Sequence, residues 1–206
     1  MLNNLDRELE RIYVSNSMYR RIIKPFLDVL FAFLLFILSL PLFIIISMTI
    51  KLDSKGPVVF KQNRYGKDGT IFNIYKFRTM YVHVPKEGIS PVNNQDRRIT
   101  RVGKLLRKSS LDELPQLINI LKGDMSFIGP RPEQSSIVEA NYSDYERQRF
   151  AVTPGITGLW QVSKERTKPI HENLHYDFKY IANGSFIMDI KVIVKTVKVM
   201  IKSNTY

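Results

Sequence analysis

The stretch VLFAFLLFILSLPLFIIISMTI, residues 29–50, decides the class of this protein, because its 22 residues carry no charge. As a straight helix it would extend roughly 33 Å, enough to cross the hydrocarbon core of a bilayer. The sequence therefore predicts a helix embedded in a membrane rather than one buried in a protein core. Whether the helix crosses the membrane is a separate question.

The charges that flank this segment set no preferred orientation, since five basic residues precede it and five follow it. Pro41 lies inside the segment, where it removes a helical hydrogen bond, and Ser39 and Ser47 can bond freed carbonyls. These facts favour a re-entrant helix over residues 22–51 that breaks near Ser39 and Pro41. A kinked transmembrane span is the alternative. The flanking basic residues are Arg7, Arg11, Arg20, Arg21 and Lys24 on one side, and Lys51, Lys55, Lys61, Arg64 and Lys67 on the other.

The composition limits the remaining choices. The chain has 206 residues, with 31 Lys and Arg against 19 Asp and Glu, which gives a net charge of +12. It has no cysteine, which excludes disulfides, thiolate metal sites and a cysteine nucleophile. The basic balance points to an anionic partner, which can be a nucleic acid, an acidic membrane surface or a phosphorylated substrate.

The rest of the chain predicts an α+β, mainly helical protein in four parts. Residues 1–21 form a basic extension, residues 22–51 the membrane helix, residues 52–185 a catalytic domain and residues 186–206 a basic C-terminal segment. Within the domain, residues 57–62 and 70–77 are β-branched and aromatic and flank a turn-forming stretch, so they predict a β-hairpin. Residues 99–122 predict helix with a break around residues 109–115.

The C-terminal segment has the pattern of an amphipathic helix. Its four lysines at positions 191, 195, 198 and 202 fall within roughly 60° of one helix face. Such a helix lies well in a membrane interface. A helix that packs on its own domain, with the lysines in solvent, is the alternative interpretation.

The strongest chemical candidate is SSLDELPQL, residues 109–117, in which Asp112 and Glu113 follow a run of basic residues. Adjacent carboxylates suit Mg²⁺ and a phosphate substrate, and an aspartate can also attack phosphorus as a nucleophile. The competing interpretation is a capping box between Ser110 and Glu113, which would only stabilise a helix N-terminus.

Two further motifs offer cations for a phosphate. In GPRP, residues 129–132, two prolines hold Arg131 in extended backbone. In YKFRTM, residues 75–80, Lys76 and Arg78 are two residues apart and share one strand face, a spacing that suits a diphosphate. An ordinary turn arginine and a charged sheet face are the alternatives.

In this order, the motifs resemble a known family. They are the apolar segment, GPVVFKQNRYG, FNIYKFRTM, RITRVGKLLRKSSLDELPQLINILKGDMSFIGPRP, PGITGLWQV and SFIMDIKVIVKTV. The chain is similar to the bacterial sugar transferases, the monotopic polyprenyl-phosphate phosphoglycosyltransferases, over about residues 20–203. It looks like a minimal member that consists of this unit alone.

The resemblance implies a reaction and a location. A sugar 1-phosphate would move from a UDP-sugar to undecaprenyl phosphate with release of UMP, as the first membrane step of a bacterial glycan pathway. The enzyme would be monotopic, with a re-entrant helix, in the bacterial inner (cytoplasmic) membrane. Its catalytic domain would lie on the cytoplasmic face, against anionic lipids, and no nucleic acid partner is expected.

The resemblance also assigns roles to residues. Asp112 would be the catalytic nucleophile, Glu113 would act with it by binding the Mg²⁺ cofactor, and Arg131 would contact phosphate. Further substrate contacts are expected from Lys76, Arg78, Arg107 and Asp177.

Two other functions fit part of the sequence. A non-catalytic, membrane-anchored polybasic module that binds anionic lipid or nucleic acid would explain the charge but not the paired acids. A transferase with a ternary complex would use Asp112 as a base or a metal ligand. The sequence departs from the family pattern at Leu40, which precedes Pro41, and at Ser163-Lys164-Glu165, which bears on the donor. The sugar is therefore not predicted.

Overall fold

The computed structural model of the chain describes residue 14, residues 17–85, residue 91 and residues 95–202. Most of the predicted extension, residues 1–21, lies outside the described residues. Within them the protein is mainly helical, with two small sheets and one long apolar helix near the N-terminus. This confirms the predicted α+β, mainly helical composition.

The long helix is continuous. A π-helical turn, Tyr19–Ile23, leads directly into α1, Lys24–Asp53, which is long and apolar enough to cross a membrane. The break expected near Ser39 and Pro41 does not interrupt α1, which runs through Pro41 as a helix. The Ser39 hydroxyl donates to the carbonyl of Phe36 at 3.1 Å, whereas the carbonyl that Pro41 leaves without a helical donor is that of Ile37.

Packing on both sides of Pro41 gives a reason for this continuity. Ala32, in the first half of α1, is fully buried in a core cluster that includes Phe72 and Leu117. Ile46, in the second half, is buried in a second cluster with Phe77 and Leu106. The same globular domain therefore contacts both halves of α1, while most of the other apolar side chains of the helix are exposed.

The predicted hairpin is present. Strands β1, Val59–Tyr65, and β2, Ile71–Phe77, pair antiparallel from Val59 opposite Phe77 to Tyr65 opposite Ile71. Asp68 in the connecting turn has φ of 54°, a left-handed conformation that aspartate tolerates better than most residues. The buried side chains of β2 face α1 and the helix that follows the paired acids.

Further helices and strands follow the hairpin along the chain. The predicted interruption of residues 99–122 is confirmed by a 3₁₀ turn, Leu111–Glu113, between two helices. The elements are α2 (Arg101–Lys108), α3 (Gln116–Leu121), β3 (Ser126–Ile128), α4 (Ser135–Asn141), α5 (Asp144–Arg147), β4 (Gly155–Thr157), α6 (His175–Asn183) and α7 (Phe186–Lys202).

The parallel pair of β3 and β4 brings two Gly/Pro loops together, with Ser126 opposite Gly155. A Cβ added to Gly155 would lie 2.1 Å from the backbone nitrogen of Gly129, so only glycine allows this approach. The GPRP loop therefore lies against the start of the PGITG segment.

The C-terminal segment is a helix, as predicted. In α7, Val192 is fully buried against the domain, whereas Val194, Val197 and Ile201 are exposed. Asp189 joins α7 to the start of the long helix, because it accepts a hydrogen bond from Tyr19 at 2.6 Å and pairs with Lys24 at 2.9 Å. The helix thus packs one face on the domain and leaves a second, apolar surface uncovered.

Arg78 caps the C-terminus of α1. Its guanidinium donates to the carbonyls of Ser54 and Lys55 at 2.6 and 2.9 Å, and the residue is only 5% exposed. We predict that Arg78→Met destabilises the protein by about 1–3 kcal/mol, the usual cost of leaving buried acceptors without a donor. Thermal unfolding in detergent measures this as a lower Tm. Arg97→Met, at an exposed arginine, is the control, and equal Tm values for the two variants would contradict the capping role.

Candidate active site

The paired acids lie on the 3₁₀ turn between α2 and α3. Ser110 has φ of 56° and its side chain makes no capping hydrogen bond, so the capping box with Glu113 does not form. Helix α3 begins only after Pro115, and no carboxylate caps it. The interpretation of these acids as helix caps is therefore wrong, and their charges are available for other chemistry.

Glu113 forms the central ion pair of the site. One of its carboxylate oxygens lies 2.6 Å from Nζ of Lys76, and both side chains are largely buried. Burial alone would raise the pKa of Glu113, but the cations of Lys76 and Arg131 outweigh it and lower the pKa overall. Glu113 is therefore ionised at neutral pH.

Asp112 has the opposite balance. Burial raises its pKa to about 6, and the nearby charge of Glu113 raises it as well, while Lys76 and Arg107 act in the opposite direction. Two adjacent carboxyls thus have pKa values that are pushed apart by their surroundings, a pattern typical of catalytic pairs. Asp112 is ionised at neutral pH but poorly solvated.

A small pocket lies in front of Glu113. Its wall combines the predicted cations Lys76 and Arg131 with residues of β1, α3 and β4, and we call it the central pocket. Its lining residues are Arg64, Ile74, Lys76, Glu113, Gln116, Arg131, Pro132, Gly155 and Ile156. The structure therefore brings Lys76, Glu113 and Arg131 together from three separate parts of the sequence, and Asp112 adjoins them along the chain.

Three predicted site residues, Arg78, Asp177 and Arg107, do not line the central pocket. Arg78 is engaged with the end of α1, as described above, which corrects its prediction as a phosphate ligand. Asp177 is 2% exposed and forms an ion pair with Arg149 at 2.6 Å, so its carboxylate faces the protein interior rather than a substrate. Arg107 acts electrostatically on Asp112 and donates to the carbonyl of Pro91 at 3.2 Å.

Two pocket residues, Arg64 and Gln116, are not among those that the sequence predicts for the site. Arg64 lies in β1, two residues from Gln62, and donates to its side-chain oxygen at 2.7 Å. Gln116 is 2% exposed and adjoins Glu113, and a hydrogen bond from its side chain contributes to the lowered pKa of that carboxyl. The period-2 pattern of β1 could have indicated Arg64, whereas the buried position of Gln116 depends on how α3 packs.

The donor set for a metal is sparse. Among the described residues, no group of three or more His, Asp and Glu side chains is close enough to hold an ion. A cation in this site would therefore depend on Asp112 and Glu113 and on ligands that are not protein side chains.

Comparisons with known proteins relate the sequence to a family. The sequence profile described as bacterial sugar transferase matches residues 19–203. A UDP-N-acetylgalactosamine-undecaprenyl-phosphate N-acetylgalactosaminephosphotransferase from Aeromonas hydrophila is 40% identical over 188 residues, which cover 87% of this chain and 44% of that protein.

Two proteins named UDP-glucose:undecaprenyl-phosphate glucose-1-phosphate transferase are similar. The Caulobacter vibrioides protein is 39% identical, over 84% of this chain and 68% of its own length. The Escherichia coli protein is 38% identical, over 86% of this chain and 40% of its own length. The chain thus spans less than half of the Aeromonas hydrophila and Escherichia coli relatives. The matched residues include the whole site, and the chain belongs to the bacterial sugar transferase family.

Proposed function

We propose that this protein is a phosphoglycosyltransferase that moves a sugar 1-phosphate from a UDP-sugar to undecaprenyl phosphate and releases UMP. The observation that carries the proposal is the pair of Asp112 and Glu113, one desolvated and one ionised by Lys76, beside a pocket lined by Arg131. The names of the relatives support the same substrates.

The reaction would have two steps. A carboxylate oxygen of Asp112 attacks the β-phosphorus of the UDP-sugar, the bond between that phosphorus and the bridging oxygen breaks, and UMP leaves with the electron pair. A phosphate oxygen of undecaprenyl phosphate then attacks the phosphorus of the aspartyl phosphosugar. The bond to Asp112 breaks, which restores the carboxylate and gives undecaprenyl diphosphate sugar. The poor solvation of Asp112 favours its attack.

The cations of the site would carry the charge that develops on phosphorus. Phosphoryl transfer depends more on positioning and charge stabilisation than on covalent machinery. Lys76 and Arg131 lie on the wall of the central pocket, and Arg107 acts on Asp112 from α2. These three residues are the proposed phosphate contacts.

The paired acids also fit Mg²⁺. This ion takes one or two protein carboxylates and completes its shell with water and substrate phosphates. Glu113 would hold it, since its lowered pKa keeps it ionised beside the pocket. When bound, the ion would neutralise charge on the diphosphate.

A non-catalytic polybasic module is the rejected alternative. Such a module binds anions by charge alone, and two buried carboxyls in its centre would weaken that binding. In this site Lys76 pairs with Glu113 instead of an external anion, and burial keeps Asp112 poorly solvated. Both features suit catalysis rather than the binding of lipid or nucleic acid.

We propose a re-entrant, monotopic arrangement on the cytoplasmic face of the inner membrane, in which α1 stays helical but bends at Pro41. Both halves of α1 pack on one polar domain, which a helix crossing the bilayer could not do without drawing that domain into the membrane. The exposed apolar residues of α7, with its lysines, would lie in the interface against anionic lipids.

Release of UMP tests the reaction. Purified protein in nanodiscs, with Mg²⁺ and undecaprenyl phosphate, is expected to release UMP from one member of a panel of UDP-sugars. Asp112→Asn should lower this rate at least about 1,000-fold, because the nucleophile is lost. Asp144→Asn, at an exposed acid in α5, is the matched control. Near-normal activity of Asp112→Asn would contradict the assigned nucleophile.

The pH dependence tests the electrostatics of the pair. Since the pKa of Asp112 is raised to about 6, its ionised fraction falls as the pH drops through 6, and kcat/KM should fall with it. Lys76→Met removes the charge that lowers this pKa, so the midpoint of the normalised profile should move to higher pH. Lys104→Met, at an exposed lysine of α2, should leave the midpoint in place. An unmoved or lowered midpoint in Lys76→Met would contradict the account.

Single cysteines test the topology, since the chain has none of its own. Met18→Cys and Lys55→Cys, exposed before and after α1, should react with an impermeant maleimide from the same side of the membrane. Lys67→Cys, in the domain, identifies the cytoplasmic side. Labelling of the first two positions from opposite sides would contradict the re-entrant arrangement.

A further inference from the structure

The backbone around Arg131 is held from outside the loop. Because proline has no backbone N–H group, Pro130 and Pro132 cannot donate backbone hydrogen bonds that would hold the loop. Instead, each of three successive carbonyls accepts a hydrogen bond. Pro130 accepts from the N–H of Gly155 at 2.9 Å, Arg131 from Nη2 of Arg149 at 2.7 Å, and Pro132 from Nη1 of Arg64 at 3.1 Å.

Arg149 is the contact made at Arg131 itself. The residue is 1% exposed. Its Nε donates to Oδ2 of Asp177 at 2.8 Å, its Nη1 donates to the hydroxyl of Tyr142 at 3.1 Å, and its Nη2 reaches both Asp177 and the carbonyl of Arg131. One planar guanidinium therefore links α6, the end of α4 and the GPRP loop.

A buried ion pair is weak evidence for a stabilising role. Replacing a buried ion pair by apolar residues of similar volume is often neutral or stabilising, because both charges lose their hydration. What the guanidinium supplies is geometry, since its fixed fork can hold a carboxylate and a carbonyl at once. The carbonyl it holds belongs to the one residue of the loop whose side chain lines the central pocket with a charge.

We propose that Arg149, oriented by Asp177, is a positioning residue that fixes Arg131 for the transfer reaction. The inference rests on the proposed function. In this role Asp177 would act through Arg149 rather than by contact with substrate. A shift of about 1 Å in a charged group that stabilises a transition state is enough to cost a large factor in rate.

The test is a double-mutant cycle on UMP release in nanodiscs. Arg149→Lys keeps the charge beside Asp177 but loses the fork, and it should lower kcat/KM at least about 10-fold. Arg131→Ala should lower kcat/KM by more. If Arg149 acts through Arg131, the double variant should match Arg131→Ala within about twofold. Arg147→Lys, at an arginine that lies over the ring of Tyr65 and contacts no loop carbonyl, is the matched control and should behave as the unsubstituted protein.

Other outcomes overturn the inference. Full activity of folded Arg149→Lys would contradict the positioning role. So would a double variant whose loss of kcat/KM equals the product of the two single losses, because a merely structural effect of Arg149 is independent of Arg131. If Arg149→Lys does not fold, Asp177→Asn takes its place in the same cycle with the same criterion. Absence of UMP release from the unsubstituted protein would instead contradict the proposed function, and the positioning role with it.

Discussion

The ion pair between Lys76 and Glu113 is the interaction on which the site depends. It joins the end of the hairpin to the 3₁₀ turn that carries the acids, across a distance of 2.6 Å. The pair keeps Glu113 ionised, and the negative charge of Glu113 then helps to raise the pKa of Asp112. Two adjacent carboxyls thereby acquire different pKa values. The cation of Lys76 helps to lower the pKa of Glu113, whereas burial raises the pKa of Asp112.

The long apolar helix α1 supports this arrangement directly. Ala32 of α1 packs in the core that contains Ile74 of β2, and Asp28 accepts a hydrogen bond from the N–H of Phe127 in β3 at 3.4 Å. The strand that carries Lys76 and the strand that leads to Arg131 therefore both rest on the apolar helix. This construction suits the proposed transfer from a soluble donor to an acceptor held in a bilayer.

The sequence predicts the parts of this protein that local patterns determine. Two β-branched and aromatic runs around a turn-forming stretch predict the hairpin, and the spacing of the lysines predicts the C-terminal helix. Adjacent acids after a basic run indicate Asp112 and Glu113. Three outcomes depended on packing that no local pattern records. Arg78 shares a strand face with Lys76 by spacing, yet the unpaired carbonyls at the end of α1 bind its guanidinium. Asp177 is held by Arg149, and α1 continues through Pro41 because the domain packs on both of its halves.

The central claim is that Asp112 accepts the phosphosugar before the lipid does. Intact-protein mass spectrometry after mixing the enzyme with its UDP-sugar, in the absence of undecaprenyl phosphate, tests this most directly. The account predicts a mass increase of one sugar phosphate, on the peptide that contains Asp112, which disappears when undecaprenyl phosphate is added. Turnover without any adduct, or an adduct on another residue, would contradict it and favour direct transfer in a ternary complex.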